Sequence, residues 1–167
     1  MDLLYYPNDF LDKQVKAVDL DNPGFDPVKV KDTMTDIMLK YNGIGLSANQ
    51  VGLDHQLFVM GDKKENTIIC INPQVLQHTK ETVIDVEGCL SFPNIYVKVS
   101  RPKEILVEFY DHELKKQQVK IDGYSAKCFL HEWDHLQGVT FKDRVSKLKW
   151  DMAKKKAIKL EKYNGQG

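Results

Sequence analysis

The chain has 167 residues, 42% apolar and 29% charged, a balance that fits a single domain spanning residues 1–167 and excludes a disordered chain or a coiled-coil array. Its 24 basic and 24 acidic side chains cancel, which argues against a specific DNA partner or any nucleic-acid binder held by bulk positive charge. No apolar run approaches the roughly 20 residues that cross a bilayer. The start, Met1-Asp2-Leu3-Leu4, shows neither a basic leader nor a small-residue cleavage site, and Cys70, Cys89 and Cys128 are an odd count, so the expectation is a cytoplasmic protein with reduced thiols and no membrane contact.

In chain order, a Pro/Gly/Asp-rich loop at residues 19–26 leads into Asp26 and Pro27, a helix cap followed by proline at the first helical position. Val30, Met34, Ile37, Met38 and Tyr41 then recur at helical spacing until Asn42 and Gly43 stop the pattern. Residues 57–60, 67–71, 95–99, 105–110 and 118–121 are short, β-branched or aromatic, and bounded by turn residues, with a hairpin turn at residues 111–113. Two further helices are predicted at about 124–137 and about 146–163. A block of strands with helices before and after predicts an α+β fold, with short antiparallel strands around a central metal-binding helix and helices at the N-terminal and C-terminal sides.

The stretch His131-Glu132-Trp133-Asp134-His135 carries the most chemistry. Histidines four apart on a helix share one face, so both imidazoles can reach one ion, while Glu132 points beside that ion, where it can hold and deprotonate a water. The competing reading is two inert, hydrogen-bonded histidines. Asp134 falls on the other side of the helix and reads as a structural acceptor for a backbone group or a neighbouring helix. A third ligand is needed. Cys128 lies about 10 Å along the axis from His135 at 1.5 Å per residue, too far to share an ion with both histidines, so it reads as pocket wall or core. Cys70 sits in a strand-like run and reads as core. Cys89, in Glu87-Gly88-Cys89-Leu90-Ser91 between a strand-like segment and Phe92-Pro93, is open to both readings, ligand or structural thiol.

Three stretches taken in order, Gly43-Ile44-Gly45-Leu46-Ser47-Ala48-Asn49-Gln50, then Glu87-Gly88-Cys89-Leu90-Ser91, then His131-Glu132-Trp133-Asp134-His135-Leu136-Gln137-Gly138, resemble the signature motifs of the peptide deformylase family. The start at Tyr6-Pro7-Asn8 and the long first helix are similar as well. The resemblance implies that Cys89, His131 and His135 bind one divalent metal, Fe(II) in the cell, with Zn(II), Ni(II) or Co(II) as substitutes in purified protein. It implies a hydrolase that removes the N-formyl group from the formylmethionine of nascent polypeptides. Glu132 would act as general base and then acid, with the Gln50 side-chain amide and the Leu90 backbone N–H as donors to the formyl oxygen. Ile44 and Gly45 would offer backbone groups to an extended peptide, pairing it like an added strand. Helix periodicity then puts Cys128 on the floor of the methionine slot, with Tyr124 closing its end.

The resemblance also suggests that Glu87 pairs with Arg101 to brace the metal loop; the alternative is two solvated surface charges. Two departures stand out. Ser47 occupies a position where many members have alanine, without an expected functional consequence. Tyr96 stands where bacterial members often carry arginine, on the outer substrate surface. Leu148, Met152 and Ile158, with Trp150, predict an inward stripe on the last helix. Its many lysines make a solvated face or a ribosome contact, on a protein expected to be monomeric. The competing functions are a metallopeptidase, disfavoured because no histidine follows His135, and a non-catalytic metal- or peptide-binding module, which would be expected to lack Glu132 or Gln50.

Overall fold

A computed structural model describes residues 1–164. Helix α1 (Pro27–Lys40) begins where the sequence places it: the Asp26 carboxylate accepts hydrogen bonds from the backbone N–H groups of Val28 (2.9 Å) and Lys29 (3.4 Å). Met34 and Met38 form its buried stripe. Seven strands follow: β1 (Gly45–Ser47), β2 (Leu57–Met60), β3 (Ile68–His78), β4 (Thr82–Cys89), β5 (Phe92–Pro102), β6 (Glu104–Tyr110) and β7 (Lys116–Asp122). Five of them make an antiparallel sheet in the order β1-β2-β3-β6-β7, and β4 and β5 form a separate two-stranded hairpin. Helices and antiparallel sheets segregated in this way are the expected α+β class.

Four strands differ from the sequence pattern. β4 lies outside the five predicted runs and β5 extends well past the predicted 95–99, because the two pair along most of their length. β3 runs on past residue 71, through register shifts between Ile71 and Gln74 and again between Val75 and Gln77. Asn72 and Pro73 look like a break in sequence, and the bulge absorbs them: Asn72 takes a left-handed φ of 49° while its side chain bonds both backbone groups of Val18, at 2.8 and 2.9 Å. β1 is a three-residue strand in the glycine-rich stretch that reads as a helix-ending loop. Pairing with β2, not local propensity, makes it a strand.

Helix α2 (Gly123–Leu136) packs against β1, β2, β5, β6 and β7. Phe129 meets Phe58 of β2 edge to face at 5.0 Å between ring centres, within a cluster that includes Cys70 and Val107. A second cluster lies under α1 and a third joins β5 to the last helix, α3 (Lys147–Asn164). The inward stripe predicted for α3 is corrected here. Trp150 and Ala157 are its buried residues, whereas Leu148, Met152 and Ile158 are 71, 63 and 52% exposed. Trp150 packs edge to face against Phe92 and Phe141, and that one large ring fixes which side of α3 turns inward.

Candidate active site

Three segments distant in sequence meet at one cleft of about 570 Å³, lined among others by Ile44, Gly45, Gln50, Cys89, Leu90, Tyr124, Cys128, His131 and Glu132. α2 presents His131 and His135 one turn apart, with their Nε2 atoms 3.3 Å from each other. Cys89 ends β4, beside the tight turn into β5, and its Sγ stands 3.3 Å from His135 Nε2. All three donor atoms lie within 4.8 Å of one another. Around one tetrahedral ion, bond lengths of about 2.0–2.3 Å separate ligand atoms by roughly 3.3–3.6 Å. The donor set therefore fits a divalent cation, and a sulfur with two imidazoles suits a transition metal better than magnesium or calcium.

The ring of His131 is held by its other nitrogen. Nδ1–H donates to Glu87 Oε1 at 2.9 Å, which leaves the Nε2 lone pair facing the donor cluster. Glu87 is the acceptor in this bond because it stays ionised. Burial alone would push its carboxyl up, but hydrogen bonds from Arg101 and His131 outweigh that and hold it at about 2. The predicted Glu87–Arg101 pair is present and buried, not solvated: Arg101 Nε donates to Oε2 at 2.7 Å and its Nη2 to Oε1 at 2.9 Å. Arg101 Nη1 then reaches Asp134 Oδ2 at 2.7 Å, and Arg144 closes on the same carboxylate at 2.7 and 3.0 Å. Asp134 is thus a structural acceptor, as its position predicts; its partners are two guanidinium groups, one from β5 and one, Arg144, from the neighbouring 3-10 helix Phe141–Arg144.

Glu132 is 4% exposed, and its Oε2 has no hydrogen-bond partner among the described residues. Burial pushes its carboxyl up to about 7, the Glu87 charge adding to this while His131 and Arg101 oppose it. Gly45 makes room for it, since a Cβ there would sit 2.6 Å from Glu132 Oε1 and 2.9 Å from Cys128 Sγ. A buried carboxyl poised near neutrality with one free oxygen can take up and return a proton.

Gln50 is oriented from both ends. Its Oε1 accepts from the Ser47 backbone N–H and hydroxyl, each at 2.9 Å, so its Nε2 turns toward Ser91 Oγ (3.1 Å) and Cys89 Sγ (3.4 Å). Leu90 follows Cys89 at the turn, its side chain lying where a Cβ on Gly43 would have to go. Cys128 lines the cleft and burial pushes its thiol up, so it stays protonated. Tyr124 also lines the cleft, but at 61% exposure it stands at the mouth and does not close the end of a slot; it sits at the outer start of α2. His135 is wholly buried behind the cleft wall, and Asn49 donates from Nδ2 to its backbone carbonyl.

Sequence reasoning assigned no role to Asn49, Ser91 or Arg144, and none to the Ser47 hydroxyl. A signal existed for Arg144: Arg101 and Arg144 are the two arginines among 24 basic residues, and a guanidinium kept in a lysine-rich chain suggests a forked partner. No helix among the described residues is long and apolar enough to cross a membrane.

Comparison with known proteins bears on the same residues. The peptide deformylase of Rhizobium meliloti (strain 1021) is 41% identical over 141 residues, covering 82% of this chain and 81% of that protein. That of Chromobacterium violaceum is 37% identical over 98% of both. The crystal structure of a peptide deformylase from Legionella pneumophila superposes with a TM-score of 0.87 at 31% identity, over 99% of this chain and 98% of that one. Residues 1–151, which include every element of the cleft, match the sequence profile of the polypeptide deformylases, and the chain belongs to that family.

Proposed function

We infer that Glu132 moves the proton in the reaction this hydrolase catalyses, removal of the N-formyl group from the formylmethionine of nascent polypeptides. The observation that carries the reading is the pairing of a buried carboxyl, poised near 7 with one oxygen unpartnered, with a Cys-His-His donor cluster in the same cleft. Cys89, His131 and His135 would hold one divalent cation, Fe(II) in the cell, with Zn(II), Ni(II) or Co(II) as substitutes. When bound, the cation supplies the Lewis acidity that makes water a nucleophile near neutral pH.

The rest is the work of this chain's own side chains. Glu132 takes the proton of the attacking water and returns it to the departing amine. Gln50 Nε2, held outward by Ser47, donates to the formyl oxygen together with the Leu90 N–H, each such donor being worth about 3 kcal/mol in the transition state. Ile44 and Gly45 pair with the extended peptide along the open edge of β1. The methionine side chain enters beside Cys128, with Tyr124 at the entrance. The chain acts as a cytoplasmic monomer, and the lysines of α3 offer a contact to the ribosome that delivers the substrate.

The test is hydrolysis by anaerobically prepared, Fe(II)-loaded protein. Formate should be released from a formyl-Met peptide while the acetyl-Met counterpart stays intact. Equal cleavage of the two, or of neither, would overturn the reading.

A further inference from the structure

The two donors to the formyl oxygen come from separate segments, Gln50 from the 3-10 turn Ala48–Val51 and Leu90 from the turn between β4 and β5. Among the described residues no main-chain hydrogen bond joins these segments directly. A third segment bridges them. The Leu4 N–H donates to the Gln50 carbonyl at 2.7 Å, and the Tyr6 N–H donates to the Ser91 carbonyl at 2.8 Å. Two residues of chain reach at most about 7 Å, so one short strap, Leu4–Tyr6, limits how far the donor-bearing segments can part.

The strap is itself anchored. Leu3 is buried in the cluster under α1, whereas Leu4 and Tyr6 pack on the cluster that joins β5 to α3. The Tyr6 ring stacks on Phe92 at 4.9 Å between ring centres. Ser47 fixes the Gln50 amide relative to its own turn, so the position of Nε2 follows that of the turn's main chain. Side-chain contacts also cross the gap, from Gln50 Nε2 to Ser91 Oγ at 3.1 Å and to Cys89 Sγ at 3.4 Å. That nitrogen carries two hydrogens, and one is committed when it donates to the formyl oxygen. The main-chain bonds of the strap are untouched by this step.

We propose that the strap Leu4–Tyr6 is a positioning element for the reaction: through its two main-chain N–H groups it sets the separation of Gln50 Nε2 from the Leu90 N–H. The inference rests on the deformylase reading above, in which both groups meet the formyl oxygen. Such donors lower the barrier only when they already stand where negative charge develops, and a displacement of about 1 Å can cost about 10²-fold. The two strap N–H groups are spent on Gln50 and Ser91, so they act through the donors and not on the substrate.

The experiment is a double-mutant cycle on formyl-Met-Ala-Ser hydrolysis by the Fe(II)-loaded protein. Leu4→Pro deletes the N–H that reaches Gln50, while one glycine inserted between Tyr5 and Tyr6 keeps both N–H groups and lengthens the strap. Each change should lower kcat about tenfold or more, with KM within about twofold and metal content unaltered. In a Gln50→Ala background the same changes should lower kcat by less than about twofold, because there is no longer a pair of donors to space. Asp2→Pro, an exposed site ahead of the strap, should match the unaltered protein. If Leu4→Pro does not fold, the insertion decides, and failure of both to fold would make the strap a purely structural element and overturn the inference. Equal fold losses in the two backgrounds would overturn it too, as would an unchanged kcat or a loss carried by KM or metal content, and each of these leaves the deformylase reading standing. Absence of turnover by the unaltered protein would overturn that reading and this inference with it.

Discussion

Helices α2 and α3 are neighbours in sequence and opposites in construction. α2 has nine buried residues among its 14, and each of its sides meets something specific: His131 and Glu132 the cleft, His135 the Cys89 thiol behind it, Asp134 two arginines, Phe129 and Leu130 the sheet. α3 has two buried residues among 18, held to β5 chiefly through Trp150. One helix is positioned by polar contacts that have direction, the other by a single large ring. The contrast teaches that directional contacts fix the rotation of a helix about its axis to the precision chemistry needs, whereas apolar packing only keeps it in place.

The contrast can be broken from the α2 side first. Glu132→Gln should keep its metal and lose turnover by about 10²–10⁴-fold. Cys89→Ala should lose metal, which Cys70→Ala and Cys128→Ser retain. Formate release and elemental analysis on the same preparations separate the two effects, and full activity in metal-loaded Glu132→Gln would contradict the proton-transfer role.

Next in size is the clamp behind the Cys-His-His donor cluster. Arg101→Leu leaves Glu87 a buried carboxylate without a guanidinium and Asp134 with that of Arg144 alone, which should lower stability by about 3–5 kcal/mol in urea denaturation. Arg144, with a side chain 45% exposed, should cost clearly less when changed to alanine. Similar losses for the two variants would mean that burial does not decide the strength of this network.

A smaller effect is expected at the cleft wall. Cys128→Met should raise KM for formyl-Met peptides severalfold with metal content unchanged. A lowered melting temperature beside an unaltered KM would instead make Cys128 a core residue. The smallest effect belongs to α3: Met152→Lys should change stability by no more than about 0.5 kcal/mol, against about 3–5 kcal/mol for Trp150→Ala. Thermal unfolding of both variants tests the corrected orientation of the helix, and a large loss in Met152→Lys would restore the stripe the periodicity predicted.

What the sequence made legible follows the same division. Asp26 and Pro27 announced the start of α1 because capping is local chemistry, complete within four residues. The histidine pair was legible because α-helical spacing alone brings i and i+4 together. Cys89 was not, since nothing local says that the end of β4 folds back over α2; the resemblance supplied that contact before the structure did. The stripe on α3 failed because three apolar residues at roughly helical spacing do not say which side meets a partner, and Trp150 outweighed them in size. The Ser47 hydroxyl is not legible as a partner in sequence, because it meets Gln50 Oε1 only once β1 and the turn after it are formed. β1 itself has too few residues, one of them glycine, to register as a strand.

The hydrogen bond from Asn49 to the carbonyl of His135 spans 86 residues of sequence, and the Gln50–Cys89 contact spans 39. Contacts of that separation close late, after local helices and hairpins have formed. Until then the nascent or refolding chain carries one thiol in a hairpin and two imidazoles on a helix, but no cluster. The full set of three donors therefore exists only once these long-range contacts have closed. An ion met earlier finds the two imidazoles that α2 brings to one face, without the Cys89 thiol.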